Sequence, residues 1–547
     1  MTRRGSRFSV LGSRFRFGFR FGSGFGAALA VAFCGYSGSV RAAAAQRGLT
    51  AAPQILRVYD AIFDARFGDV PATLNDACGP GGPQGAPGSS KSGPAPPEAC
   101  QVLDALALWW QIQVDPLDTR LDAGFQRRVD AAVAATEAWT AREPERAEAW
   151  FYRGGAYGAR VQWRVLRGER LAAARDGKRI KDALERALAL DPDLHDAWFG
   201  IGLYHYYADV APAAAKVLRW LLLLPGGDRR QGLQEMLRAR NSGGLLRSEA
   251  DYQLHVLYLW YEQQPERANE LLLGLQQRHP SNPHFPQLVA QIQDVYLHDL
   301  TASLRSWRAL ADAARSRTVT QPDRALAYAR LGMALQLDRL FESDLAIEQL
   351  RALVAARPVA PWGALAQAYL QLGLALDRMG DRAEALTAYR SAMAARSEAD
   401  PLGIAGPARA GLRDGPSPQT AQAYRLSLEG WRALERGNLA DATRAIGQSL
   451  ALRSVDPVTR YRQARLLLAQ KDDAAALATL ETLARARASV PPTIYASACV
   501  DAARLHEQRG ARPRAVELYR TAQGVFGADR QTQDEARRAL ARLAATR

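Results

Sequence analysis

Apolar positions along most of this chain recur every three or four residues, the period of a helix with one buried face. The clearest stretch runs from Ala366 to Ser397. Its first half sets Tyr369, Leu372, Gly373 and Leu376 on one face, Met379-Gly380-Asp381 makes a turn, and Ala385, Leu386, Tyr389 and Ala392 come back against the first half. Gly373, Ala385 and Ala392 are small enough to let two backbones approach, while larger neighbours fill the space beside them. Related patterns open at Trp150, Gly154 and Tyr157, at Trp198, Gly202 and Tyr206, and at Tyr328, Leu331, Gly332 and Leu335. Another pair starts near Ala423, with Leu426, Gly430, Gly437, Ala442 and Ile446. Turns at Lys471-Asp472-Asp473 and at Gly510 mark two more, the last with Ala515, Tyr519 and Ala522 in its second helix. No run alternates apolar and polar residues between hairpin turns, so almost no sheet is predicted.

This helix–turn–helix unit, with its large–small–aromatic spacing and a length of ~34 residues, resembles the tetratricopeptide repeat (TPR). The resemblance implies an all-α fold, an α-solenoid of stacked TPR helix pairs. One such unit cannot bury its apolar face alone, so neighbours must stack on it. The unit from Trp150 to Trp198 is longer than the standard one, and its excess lies in Val161 to Arg179. The run Pro225-Gly226-Gly227-Asp228-Arg229, then Glu249-Ala250-Asp251-Tyr252, then His279-Pro280-Ser281-Asn282-Pro283 is similar to part of the tetratricopeptide-39 group. That likeness is local and bears on the fold alone.

The expected division is a leader over residues 1–45 and N-terminal helices over 46–146, interrupted by a Gly/Pro-rich loop at 79–97. A repeat array with enlarged members follows over 147–400. Pro401, Gly403, Gly406, Pro407, Gly415, Pro416 and Pro418 mark 401–420 as a linker, and 421–547 carries further repeats and an Arg-rich capping helix. Within the N-terminal part, Ile55 to Phe67 is predicted as one amphipathic helix.

The leader changes the expected compartment. Its Arg-rich start, an apolar centre around Ala27 to Phe33 and the small-residue site before Gln46 have the form of a secretory signal cleaved after Ala45. The chain is then exported, to the periplasm or cell envelope. The alternative is an uncleaved anchor over residues 21–40, which would associate the protein with the inner membrane. Cys78 and Cys100 bracket the Gly/Pro-rich loop, and an exported chain permits a disulfide between them. It would close a loop worth about 3 kcal/mol in the chain-entropy account; the other reading is two buried thiols. Cys499 lies on the apolar face of a helix and reads as a small core residue.

Charge adds little. Seven of the positive charges fall in residues 1–45, where there is no acid, leaving +8 of the formal +15 on the rest. Arg alternates there with Asp and Glu along the helices, which is the pattern of solvated faces and excludes nucleic acid as the expected partner. The seven His include no pair with the spacing of a zinc protease helix, and no nucleophile elbow occurs. No cofactor, metal or catalytic residue is assigned. Gly226-Gly227-Asp228 has neither the lysine–serine pair nor the preceding strand of a phosphate loop and reads as a helix stop followed by an N-cap.

The expected function is therefore binding by a non-enzymatic scaffold or adaptor with a protein partner. The resemblance implies a groove lined by the first helix of each pair. Candidate groove residues are Phe199, Leu203 and Tyr206; Leu370, Leu374 and Asp377; and Ser427, Trp431 and Leu434. TPR domains that grip a carboxylate tail use Lys and Asn at such positions, which these repeats lack. A helix or extended apolar segment is the better-fitting occupant. A lipid or hydrophobic-ligand carrier of the envelope built on Leu218–Leu224 is one alternative, and an enzyme with an unrecognised site is another.

Overall fold

A computed structural model describes residues 48–79, 94–211 and 226–545. The leader, residues 80–93 of the loop and Leu218–Leu224 lie outside the described residues. Among those described there is no strand, and the fold is all-α, as expected. Two compact units meet in sequence between Glu262 and Gln263.

Unit 1 contains α1 (Ala52–Phe63), α2 (Val70–Cys78), α3 (Pro97–Val114), α4 (Asp122–Arg142), α5 (Ala147–Leu166), α6 (Arg170–Leu190), α7 (Trp198–Val210), α8 (Arg229–Ser242) and α9 (Arg247–Trp260). Ile55 to Phe67 is not one helix: α1 stops at Phe63, Ala65 takes a positive φ of 55°, and a second helix follows at Val70. Cys78 and Cys100 form a disulfide with their Cα atoms 6.4 Å apart, tying the end of α2 to the start of α3. At the same place the Ala95 N–H donates to the Ala77 carbonyl at 2.7 Å. The chain's first described residues are also held. Gly48 N–H donates to Asp191 at 2.7 Å, and Thr50 gives its N–H and hydroxyl to buried Glu148 at 2.7 and 2.9 Å.

The enlarged pair α5–α6 turns at Gly168, whose φ of 82° suits glycine, and Asp176 lies within α6. Asp176 is fully buried. Arg160 grips its carboxylate through Nε and Nη2, both at 3.0 Å; Arg164 reaches it at 2.5 Å and Arg179 at 3.1 Å. α7 and α8 cross where a Cβ on Gly202 would lie 2.6 Å from the Gly232 carbonyl, so glycine is required there. Asp228 caps α8 as expected, accepting the Gln231 N–H at 2.8 Å.

A buried polar cluster joins α3, α5 and α9. Trp109 and Gln253 both donate to Gln162, at 3.2 and 2.9 Å, and Glu249 is buried beside Gln253, Trp110 and Gln162. Burial pushes the Glu249 carboxyl up to about 7 against the pull of those donors. Burial likewise pushes the His255 imidazole down to about 4.

Unit 2 contains α10 (Pro265–Arg278), α11 (His284–Val295), α12 (Leu300–Arg315), α13 (Pro322–Arg339), α14 (Ser343–Ala356), α15 (Ala364–Met379), α16 (Arg382–Ala395), α17 (Ala405–Arg413), α18 (Pro418–Glu435), α19 (Leu439–Leu452), α20 (Pro457–Ala469), α21 (Asp473–Arg485), α22 (Pro492–Gln508), α23 (Arg512–Gln523) and α24 (Arg530–Ala545). Apart from α17 and α18, neighbouring helices of this unit pack on one another, and α11–α12, α13–α14, α15–α16, α18–α19, α20–α21 and α22–α23 stack as antiparallel pairs. The crossings within pairs use small residues. A Cβ on Gly373 would lie 2.6 Å from the Tyr389 ring, and one on Gly430 2.6 Å from Ile446 Cγ1. Cys499 is fully buried in the core of the last pairs, and burial pushes its thiol up to about 11.

Residues 401–420 are not the expected linker. They hold α17, which packs on α15 and α16. Gly406, Pro407 and Gly411 suppress the helical signal, but Ile404, Ala408 and Gly411 are buried, and that tertiary contact decides the outcome.

Candidate functional site

The short α17 shapes the site. It has 9 residues where α15 has 16 and α18 has 18. It therefore covers only part of α15 and leaves a cleft of about 430 Å3 over the helix's C-terminal half. Leu374, Asp377 and Arg378 of α15, Tyr389 of α16 and Pro407, Ala410 and Gly411 of α17 line it, with Asp414 and Pro416 at one rim. That volume lies within the range of small concave binding sites.

Tyr389 forms the back wall and has little freedom. Its ring is held between Gly373 and Gly411, where added Cβ atoms would lie 2.6 Å from Cε1 and 2.5 Å from Cε2. Its hydroxyl donates to Asp377 Oδ2 at 2.9 Å. Arg382 donates to both oxygens of the same carboxylate, at 2.9 and 2.8 Å. Burial first, and then the neighbouring Asp377 carboxylate, push the Tyr389 hydroxyl above its ordinary range, so it stays a donor at physiological pH. Replacing Gly373 by alanine is expected to destabilise unit 2 by about 1–3 kcal/mol, because the ring cannot retreat past Gly411. Chemical denaturation followed in the far-UV reads this directly, and an unchanged midpoint would contradict the packing.

Arg378 donates to the Asp338 carboxylate and carbonyl, both at 3.0 Å, and lies 5.9 Å from the Tyr424 ring centre. Arg339 makes the matching bridge to Asp294. The Leu-Asp-Arg triplets at 337–339 and 376–378 thus each send an arginine to the preceding first helix. The cleft's lining arginine, Arg378, is neutralised from within the chain, and the exposed chemistry is an apolar floor with acidic Asp414 at the rim. Among the described residues, no three or more His, Cys, Asp or Glu gather in a way that could hold a metal ion.

The expected groove residues divide. Leu374 lines the cleft, and so does Asp377. Leu370, one turn earlier, is 1% exposed and belongs to the core shared by α13, α15 and α16. Tyr206 is likewise fully buried; its hydroxyl donates to Glu262 at 2.5 Å, and Arg229 forks onto the same carboxylate. Both side chains are buried in the structure and neither lines the cleft. Phe199, Leu203, Trp431 and Leu434 are half-buried, and Ser427 is buried. Trp431 lies over the buried Arg462 guanidinium, with 5.9 Å from ring centre to guanidinium carbon. Sequence periodicity alone did not find Arg378, Tyr389, Pro407, Ala410, Gly411 and Pro416. The Leu-Asp-Arg repetition was the available signal for Arg378; the wall from α17 had none.

The helix pairs stack in an all-α array, with glycine at the crossings of α15–α16 and α18–α19. No protein-family model matches the chain. No curated protein matches it either. Among solved structures, the chain is similar to a Rap protein complexed with Competence and Sporulation Factor, at 13% identity over 90% of this chain and 99% of that one, with a TM-score of 0.31. It is similar to a tetratricopeptide repeat protein from Parabacteroides merdae, at 15% identity over 53% of this chain and 96% of that one, with a TM-score of 0.23. The TPR domain of P58(IPK) is 15% identical over 82% of this chain and 99% of the domain, with a TM-score of 0.20.

Proposed function

We propose that the protein is a non-enzymatic repeat scaffold that takes an apolar helical turn or extended segment of a protein partner into the cleft beside α15. The carrying observation is that α17 ends early, exposing Leu374 next to Pro407, Ala410 and Pro416 while the lining arginine, Arg378, is already paired. Such a surface rewards apolar burial and offers no free cation to a carboxylate tail. We place this activity in an exported setting, periplasm or cell envelope. The Cys78–Cys100 disulfide supports that reading, since such bonds persist in oxidising compartments. No helix among the described residues is long and apolar enough to cross a membrane.

The test is capture from an envelope extract on immobilised full-length protein, followed by binding of the purified partner. Leu374→Arg and Ala410→Arg are each expected to weaken that binding at least tenfold, as a charge in an apolar pocket should. Unchanged affinity in both variants would remove the cleft from the function. Extracted lipid in place of a protein would favour a hydrophobic-ligand carrier.

A further inference from the structure

The array of unit 2 is interrupted between α17 and α18. These helices are joined by Asp414, Gly415, Pro416 and Ser417, all exposed, and they do not pack along their lengths. Among the described residues, the buried core that runs from Ala290 to Ala408 takes in no side chain of α18. Beyond the break, Ala433, Ala442, Ile446 and Leu466 form a separate core, and another joins α20 to α24. α15 packs on α18 across the break. Polar side chains do most of the remaining bridging. The corner between α13 and α14, residues 341–344, is held by α18 and α20. Arg432 donates through Nε and Nη2 to the two oxygens of Asp344, at 2.8 and 2.9 Å. The Ser343 and Tyr424 hydroxyls hydrogen-bond at 2.9 Å. Arg462 donates to the Phe341 carbonyl at 2.7 Å and to Ser427 at 2.9 Å. A second set lies near the chain's end. Thr301 donates to Asp529 at 3.0 Å, Arg305 to Gln531 and Arg530 to Glu266 at 3.5 Å each, and the His298 ring meets Phe526 edge-on.

We propose that residues 414–417 are a hinge on which α18–α24 swing against α10–α17, and that the corner at residues 341–344 is the clasp that holds it shut. A joint without a shared apolar core opens at the cost of its polar contacts, while the helix pairs on either side keep theirs. The clasp is balanced to allow this. Burial alone would raise the Asp344 carboxyl, but its bonds to Arg432 outweigh burial and hold it below its ordinary range, so that pair favours closure. Arg462 works against closure. It is buried, its two hydrogen bonds go to neutral acceptors, and burial pushes its guanidinium below its ordinary range. Opening returns water to that charge.

The swing has two consequences for binding. Arg432 loses Asp344 and Arg462 loses the Phe341 carbonyl, on the face where Ser427 and Trp431 also lie. Asp414 and Pro416, which line the cleft beside α15, sit in the hinge itself, so the swing alters the cleft's width. The hinge does not depend on what the cleft holds, and its test needs no partner.

Spin labels on Glu270→Cys of α10 and Arg538→Cys of α24, both exposed positions, report the swing as an electron–electron distance in the full-length protein. With the clasp intact, one short distance should predominate at low salt. Arg432→Gln and Asp344→Asn, each added singly, should raise the ratio of a second, longer distance to the short one about tenfold, as loss of a charge-assisted hydrogen-bonded pair implies. Salt at about 1 M should shift the intact protein the same way, because the pair is partly exposed. The far-UV signal should stay constant throughout, since whole helices move. A longer distance already predominating with the clasp intact, or an unchanged single distance in either variant, would overturn the proposal. So would a longer distance that comes with loss of helical signal, which would mean that α18 melts in place of swinging.

Discussion

Asp176→Ala is expected to destabilise unit 1 by about 3–5 kcal/mol, the cost of leaving buried charges without their partner. The carboxylate has no exposure, and it accepts from Arg160, Arg164 and Arg179 at once. Arg160 is itself mostly buried; its remaining carboxylate partner is the exposed Asp130 at 3.0 Å. Deleting Asp176 therefore strands like charges beside the Tyr157 ring, where Arg160 and Arg179 lie 4.9 and 5.3 Å from its centre. Asp176→Asn keeps hydrogen-bond acceptance and should lose less. The double variant with Arg160→Ala should recover part of the loss, because the stranded cation is removed with its partner. Denaturant midpoints of the natural protein, Asp176→Ala, Arg160→Ala and the double variant close this cycle. Additive single losses would show that Asp176 and Arg160 do not act as a unit.

Glu249→Gln is expected to act in the other direction, stabilising unit 1 above neutral pH. The folded carboxyl is raised from 4.5 to about 7, chiefly by burial. Its penalty is therefore absent below about 4.5, grows as pH rises towards 7, and is constant beyond. A rise of that size corresponds to about 3 kcal/mol at pH 8, which glutamine, neutral throughout, does not incur. His255 shapes the other side of the profile. Its folded value is depressed from 6.5 to about 4, so its contribution is present above 6.5 and is lost as pH falls through that window. Stability of the natural protein and of the Gln variant, compared at pH 4.5 and pH 8, isolates the glutamate. Equal stabilities at pH 8 would show that Glu249 is charged and well solvated in the folded state.

The repeats were legible because their signal is local. Gly373 and Tyr389 are sixteen residues apart, and the spacing that brings them together is written in one helix–turn–helix unit. The Cys78–Cys100 bridge was legible for the same reason, since the loop between the two cysteines can do little else. The cleft was only half legible. Leu374 follows from the helical period, but Leu370 shares that period and is buried, because which of two adjacent turns faces a neighbour depends on how the pairs are rotated. The opposite wall was hidden by composition: Gly406, Pro407 and Gly411 oppose helix locally, and only contact with Tyr389 and its neighbours overrides them. Glu249 depends on Trp110 and Gln162, on helices far from it in sequence, which no period encodes.

The weakness of α17 carries a consequence for selectivity. A nine-residue helix with two glycines and a proline has an isolated helix–coil balance far on the coil side. Its opening free energy is therefore set by the contacts through which Ile404 and Ala408 join the core of α15 and α16. If the cleft takes a partner segment as proposed, α17 is the wall whose partial unwinding would admit segments of different girth, which would favour breadth of recognition over a single fitted shape.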